Sequence, residues 1–199
     1  MINEFRIQFS RIFAGFLFVL IIFSSSRWED KAPFLTAVLF FLGAFLVGIA
    51  SLGRLWCSVY IAGYKTHNLV TQGPYSVCRN PLYFFSFLGA LGVGFASESL
   101  LIPLLILVAF VLYYPFVIKG EEAKLIKLHK SEFEIYRKKV PCFFPKISLL
   151  NEPEKYTVKP KKLKKQIFDS LWFVWLIGII EIIEELHKLE LLPAIIKLY

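Results

Sequence analysis

Apolar residues come in long blocks along the chain, separated by short polar breaks. The first block runs from Phe9 to Phe23, and the cleanest runs from Pro33 to Gly53 without a charged residue. Two further blocks, Leu82 to Ser97 and Leu100 to Ile118, are separated only by the break at Glu98. A helix needs about 20 apolar residues to cross the hydrocarbon core of a bilayer. The pattern therefore predicts an all-α fold, a polytopic transmembrane helical bundle.

The first and last apolar blocks each admit two interpretations. The first begins near Arg6 and Arg11, as in a signal peptide, but no Ala-x-Ala-like cleavage site follows and further blocks come directly after it. We interpret it as the first transmembrane helix, with Arg11 extending to the interface. The last block, Ile167 to Ile183, carries Trp172 and Trp175, which suit an interface or a span. We favour a fifth span over an interfacial helix. Because both alternatives stay open, the predicted total is four to five spans.

Two polar segments follow the predicted spans. Gly120 to Lys139 reads as an amphipathic helix, and Asn151 to Lys165 reads as a lysine-rich linker close to acidic lipid headgroups. We expect Leu191 to Tyr199 to lie on the membrane surface. The face predicted for the amphipathic helix consists of Glu122, Ile126, His129, Phe133 and Tyr136. The chain is interpreted as one integral membrane domain over residues 1–199, with a core at about 33–146 and a helical extension at 151–199.

Composition and charge support a membrane protein. The chain is 57% hydrophobic and carries a net charge of +8, whereas soluble domains are nearer 45–50% apolar. In the predicted layout, lysine and arginine cluster at one end of the helices, which marks that end as cytoplasmic rather than as a nucleic-acid surface. The three cysteines form no CxxC pair, so we expect neither a disulfide framework nor a metal site.

The longest polar interruption, HNLVTQGPYSVCRNPLY from His67 to Tyr83, is the candidate site. Gly73-Pro74 is a turn signal, and Asn80-Pro81 is a second break. Irregular polar backbone beside membrane spans is tolerated only where it is buried in protein or lines a wet cavity. The segment is therefore either a functional site or an ordinary connecting loop.

The short break at Glu98 predicts a helical hairpin that returns the chain to the side it left. The candidate site and the residues after Lys119 must then share one face of the membrane. This argument brings Arg79 close to Glu121 and Glu122, although about forty residues separate them. Ala44 and Gly48 form a small-xxx-small pair in the Pro33 to Gly53 span, which either supports close helix packing or arises by chance.

The segment LVTQGPYSVCRNPLY resembles the LVTxGPYxxxRHPxY signature of the isoprenylcysteine carboxyl methyltransferases and their phospholipid methyltransferase relatives. A second family element, a Glu-Glu pair followed by Tyr-x-x-Tyr and Val-Pro, is matched by Glu121-Glu122, Tyr136 and Val140-Pro141. Three departures are visible. The family usually has His, Gly and Tyr at the positions that hold Asn80, Phe85 and Phe133.

The resemblance implies an integral membrane enzyme that transfers a methyl group from S-adenosylmethionine to a lipid-like or prenylated acceptor at the cytoplasmic face. The acceptor group could be a carboxylate or an amine. The expected partners are this acceptor and membrane lipids, without nucleic acid. The resemblance also implies a set of cofactor-binding residues: His67, Leu69, Val70, Thr71, Tyr75, Asn80, Pro81, Tyr83 and Glu121.

Two charged residues are candidates for the catalytic role. Arg79 stays charged at physiological pH and can bind a carboxylate or phosphate of the acceptor with two hydrogen bonds. Glu122 would orient Arg79 or bind the acceptor. The alternatives are an interfacial arginine and an exposed glutamate at a helix N-terminus. Because Asn80 and Phe85 depart from the family pattern, a non-catalytic membrane scaffold or small transporter is the second hypothesis for the whole chain.

Overall fold

The computed structural model describes residues 2–62 and 68–199, without the side chains of 2–7, 9 and 30. Seven helices and two short strands are formed in these residues, together with a 3-10 turn at Ile147–Leu149. In chain order they are α1 (Ile2–Ile22), β1 (Ser24–Ser26), α2 (Trp28–Lys31), α3 (Pro33–Ile61), α4 (Pro74–Val77), α5 (Pro81–Ala96), α6 (Leu101–Lys139), α7 (Pro160–Lys188) and β2 (Ile196–Leu198).

Three of the helices, α3, α6 and α7, are long and apolar enough to cross a membrane. Two shorter apolar helices, Ser10–Ile22 within α1 and Pro81–Ala96 (α5), accompany them. Large apolar side chains stay exposed along these helices, including Phe34 (83%) and Phe41 (71%). Such a surface suits lipid rather than water. The chain is therefore a helical membrane protein. The number of membrane spans, four to five, stays a prediction.

The helices α1, α3, α5, α6 and α7 run alternately between two ends of the molecule, and different segments connect them at each end. The motif end comprises residues 68–80 and 136–156, where Arg79 N–H donates to the carbonyl of Pro141 at 2.9 Å. The opposite end comprises residues 23–32, 97–101 and 188–199. There the hydroxyl of Ser26 donates to the carbonyl of Glu98 at 2.8 Å. The return of α6 to the motif end follows the predicted hairpin.

Close contact between α3 and α5 depends on glycine. A Cβ atom on Gly43 would lie 2.6 Å from the carbonyl oxygen of Gly92 and 2.5 Å from the nitrogen of Ala96. A Cβ on Gly48 would meet nothing within 4 Å, so the predicted Ala44–Gly48 pair is not the packing site. The small-residue contact is real but lies at Gly43, one residue before Ala44 and therefore on a neighbouring face of α3.

Two expectations are wrong in detail. The amphipathic segment Gly120 to Lys139 is not one helix, because its first half continues α6 and a kink at Lys130 (φ 44°, ψ −120°) separates it from the last turns up to Lys139. Within the C-terminal segment predicted to lie on the membrane surface, β2 pairs in parallel with β1, with Ser24 opposite Ile196. The fold is thus mostly helical but not strictly all-α.

Candidate functional site

The predicted site loop is fixed to the chain that follows α6 by main-chain hydrogen bonds. Gly73 N–H donates to the carbonyl of Asn151 at 2.8 Å, and Lys146 N–H donates to the carbonyl of Val77 at 2.9 Å. Gly73 has φ 58° and faces the ring of Tyr60, where an added Cβ would lie 2.3 Å from a ring carbon. Only glycine satisfies both conditions.

Arg79 and Glu122 form the predicted contact. The Nε of Arg79 donates to a carboxylate oxygen of Glu122 at 2.9 Å, and a second guanidinium nitrogen lies 2.9 Å from the same oxygen. The remaining terminal nitrogen donates to the carbonyls of Arg137 at 2.6 Å and Val140 at 3.0 Å. Both charged side chains are close to nine-tenths buried. These contacts therefore tie the loop to the middle of α6 at Glu122 and to its C-terminal end at Arg137 and Val140.

Asn80 and Cys78 hold the segment after α6 from the other side. The Asn80 amide donates to the carbonyl of Cys142 at 3.0 Å, and the Cys78 thiol donates to the carbonyl of Phe143 at 2.9 Å. Burial raises the pKa of the Cys78 thiol to about 12. Cys78 is therefore a neutral structural thiol and not a nucleophile. The asparagine at position 80 supplies an amide donor that this contact uses.

Tyr75 lies at the centre of the site. The Tyr136 hydroxyl donates to the carbonyl of Tyr75 at 2.6 Å, while Leu69 packs against Phe133 and Tyr136. Burial raises the pKa of the Tyr75 phenol well above its ordinary value, and the nearby carboxylate of Glu121 adds to this effect. The phenol is thus neutral.

An aromatic wall continues from the site into the apolar part of the fold. Tyr83 meets Tyr114 edge to face with ring centroids 5.4 Å apart, and Tyr114 stacks on Phe110 at 3.8 Å. Beside this wall lies a groove of about 330 Å³ between α1, α5 and α6. The groove is lined by Ser10, Arg11, Ala14, Tyr83, Tyr113, Tyr114 and Val117.

Most of the predicted site residues lie in this region. Val70 and Thr71 are half-buried in the irregular backbone before α4, and Pro81 is buried at the start of α5. His67 lies outside the described residues. The contact between Arg79 and Glu122 favours the orienting role for Glu122 among the predicted alternatives.

Sequence reasoning missed two side chains outside the loop. On the side of α3 that faces α7, the Arg54 guanidinium donates to the hydroxyl of Ser86. Glu152, in the segment interpreted as a linker, accepts a hydrogen bond from the Trp56 indole at 3.0 Å. The usable signal for Arg54 was a charge one residue beyond an otherwise uncharged span. No local pattern marks Glu152.

Comparison with known proteins identifies relatives of the whole chain. It is 37% identical to cobalt-zinc-cadmium resistance protein CzcN of Cupriavidus metallidurans over 97% of this chain and 88% of that protein. It is also 37% identical to nickel-cobalt-cadmium resistance protein NccN of Alcaligenes xylosoxydans xylosoxydans, over 85% of this chain and 78% of that protein.

A shorter match joins the chain to an enzyme. It is 36% identical to protein-S-isoprenylcysteine O-methyltransferase of Schizosaccharomyces pombe, over 42% of this chain and 35% of that protein. No solved structure matches significantly. The family model for phospholipid methyltransferases matches residues 32–132, which include the loop, Arg79 and the Glu121-Glu122 pair. The chain therefore belongs to the phospholipid methyltransferase family.

Proposed function

We propose that the protein is an integral membrane methyltransferase that uses S-adenosylmethionine and acts on a lipid-like or prenylated acceptor. The observation that carries this proposal is the contact between Arg79 and Glu122, 2.9 Å apart. It locks the two family elements together beside Tyr75 and Tyr83. We place this motif end on the cytoplasmic side because lysines and arginines concentrate there.

The residues around Tyr75 suit the chemical groups of the cofactor. S-adenosylmethionine supplies a methyl group already activated on a sulfonium. By the family resemblance we assign the binding of ribose hydroxyls or the ammonium group to Glu121, while Glu122 is engaged by Arg79 and lies 3.9 Å from Arg137. The rings of Tyr83 and Tyr114 suit a cationic sulfonium. The other proposed contacts are His67, Leu69, Val70, Thr71, Tyr75, Asn80 and Pro81.

Arg79 has little binding capacity left for an acceptor. A guanidinium carries five N–H donors, and the contacts with Glu122, Arg137 and Val140 use four of them. We therefore propose that Arg79 acts first as a positioning residue for the loop. Its remaining donor can meet the carboxylate or phosphate of an acceptor.

The groove beside Tyr83 supports a lipid-like acceptor. Arg11 and the rings of Tyr83, Tyr113 and Tyr114 line it, so a polar head and an apolar body both find matching groups. A prenylated cysteine carboxylate and a phospholipid amine both meet this description. The reacting atom of the acceptor would have to reach the end of the groove at Tyr83.

Transfer of a tritiated methyl group tests the proposal. Purified protein in detergent is incubated with labelled S-adenosylmethionine and a bacterial lipid extract, and label in the organic phase is counted. We expect label with the wild type, and about ten- to a hundredfold less with Glu121→Gln, the range for a lost hydrogen bond to a charged group. Glu132→Gln removes an exposed carboxylate of the same helix and should change nothing.

A negative result has a defined meaning in this experiment. If folded wild-type protein binds S-adenosylhomocysteine but labels no lipid and no prenylated peptide, the lipid-like acceptor is wrong. If it binds no S-adenosylhomocysteine either, the non-catalytic scaffold or small transporter is the better account.

The relatives suggest a physiological setting for the enzyme. The two resistance proteins match almost the whole chain or most of it, whereas the family model ends at residue 132. We propose that this chain also serves tolerance of divalent transition metals, through methylation. A host lacking the protein should regain growth on cobalt, zinc or cadmium salts when it expresses the wild type but not Glu121→Gln. Equal rescue by both would separate tolerance from methyl transfer.

A further inference from the structure

A second groove, outside the proposed methyl-transfer site, lies between α3 and α7. Its volume is about 490 Å³. It is lined by one cation, one carboxylate and four aromatic rings: Arg54, Asp169, Phe168, Trp172, Phe173 and Trp175. We propose that this groove binds one anionic phospholipid of the surrounding leaflet, with its phosphate beside Arg54 and its acyl chains along the aromatic rings.

The aromatic wall suits the boundary between headgroups and acyl chains. Phe168, Trp172 and Trp175 are 65%, 62% and 67% exposed. They follow one another at spacings of four and three, so they lie on one face of α7. Tryptophan prefers the membrane interface, where its ring contacts apolar chains and its N–H meets polar groups. These rings therefore give the groove an apolar side that suits acyl chains, next to the charge of Arg54.

Arg54 provides the cation of this groove, and not all of its N–H donors are used. Its guanidinium donates to the hydroxyl of Ser86 and to the main-chain oxygen of Asp169, the latter at 3.3 Å, and lies 5.6 Å from the ring centre of Phe173. Its Nε is buried and has no hydrogen-bond partner among the described residues. The two hydrogen bonds use two of the four N–H groups on its terminal nitrogens, and the other two can donate to a phosphate oxygen.

Lysines extend the positive charge toward the headgroup region. Lys161, Lys164 and Lys165 precede Phe168 by seven, four and three residues, which places them one or two turns away on the same face of α7. All three are exposed. The lining contains one carboxylate, Asp169, so the positive charges of Arg54 and these three lysines outnumber the negative charge at the groove. This excess of positive charge selects an anionic over a zwitterionic headgroup.

Native mass spectrometry of the purified full-length chain tests the proposal. The protein is released from micelles containing equal amounts of phosphatidylglycerol and phosphatidylcholine, and the lipids that stay bound are counted. We expect one retained phosphatidylglycerol per chain. The triple variant Lys161→Gln, Lys164→Gln, Lys165→Gln should weaken its retention about tenfold, because lysines near a headgroup each contribute to the attraction.

Two controls separate a built groove from general surface charge. The triple variant Lys127→Gln, Lys138→Gln, Lys139→Gln removes the same charge from exposed positions of α6 and should leave retention within about twofold of wild type. Trp172→Ala should weaken retention, whereas Phe41→Ala, also at a highly exposed position, should not.

Three results would overturn the proposal. Equal retention of both lipids would remove the selectivity for an anionic headgroup. Equal losses in the two lysine triples would leave only surface electrostatics. Displacement by inorganic phosphate at concentrations comparable with the lipid would indicate a simple anion site. None of these results depends on methyl transfer, so failure here leaves the proposed enzyme standing.

Discussion

The two ends of the helical bundle are held together by different kinds of interaction. At the motif end, a largely buried Arg79–Glu122 pair and main-chain hydrogen bonds join segments that are far apart in the sequence. At the opposite end, a three-residue parallel pairing and main-chain hydrogen bonds also join distant segments, but the ion pair there is exposed, with Lys188 lying 3.8 Å from Glu29.

This difference indicates which end of the bundle must hold one fixed geometry. Buried polar contacts fix one geometry because any displaced partner is left unsatisfied. Exposed ion pairs tolerate movement because water replaces the lost contact. The motif end is therefore built as a rigid frame, which a site for two bound molecules requires, and the opposite end serves as a joint between helices.

The largest expected effect comes from breaking the buried pair. Arg79→Ala leaves the Glu122 carboxylate without its main partner, which typically costs about 3–5 kcal/mol of stability. Lys188→Ala, the matched change in the exposed pair, should cost about 1 kcal/mol or less. Thermal unfolding in detergent measures both. Comparable losses would erase the distinction between the two ends.

A double substitution sharpens the same comparison. Arg79→Leu combined with Glu122→Leu should recover much of the stability lost in Arg79→Ala, because no charge then remains buried without a partner. Methyl transfer should nevertheless be lost in the double variant, since the loop that carries Arg79 loses its polar contacts with α6. Recovery of activity would show that the pair is dispensable for the site.

An intermediate effect is expected at Gly73. Gly73→Ala places a methyl group against the Tyr60 ring at a residue with φ 58°, and overpacking and backbone strain of this kind each cost about 1–3 kcal/mol. Gly48→Ala, where a Cβ meets nothing within 4 Å, is the control and should be neutral or slightly stabilising. A neutral Gly73→Ala would mean that the loop is not rigid.

The smallest effect is a change in pH dependence at the opposite end. Burial raises the pKa of Glu98, and the carboxylates of Glu29 and Glu181 add to this, while Lys188 opposes it. The folded protein then binds more protons than the unfolded chain, so stability falls as pH rises from the ordinary glutamate value through the raised pKa. Glu98→Gln should reduce this fall and be more stable than wild type at pH 7. An unchanged pH profile would contradict the raised pKa.

Much of the arrangement of the helices and of the Arg79–Glu122 contact could be predicted from the sequence. Uncharged apolar runs predicted the helices, and the short break at Glu98 brought Arg79 to Glu122 across 43 positions. The choice of Ala44 and Gly48 failed because spacing alone does not tell which face of α3 meets α5. The break at Lys130 carries neither proline nor glycine to announce it.

The contacts that could not be predicted are those between distant segments of irregular structure. The Tyr156 hydroxyl donates to the carbonyl of Tyr60 at 2.7 Å, and Ile196 pairs with Ser24. Each depends on where the helices end in space rather than on any local pattern. The segment that looked like a free lysine-rich linker is therefore partly docked at the motif end.

The central claim is that the motif end binds S-adenosylmethionine, and isothermal titration with S-adenosylhomocysteine tests it most directly. We predict saturable binding of one molecule per chain, weakened about ten- to a hundredfold in Glu121→Gln and unchanged in Glu132→Gln. Absence of heat with a folded, monodisperse wild-type protein would contradict the account.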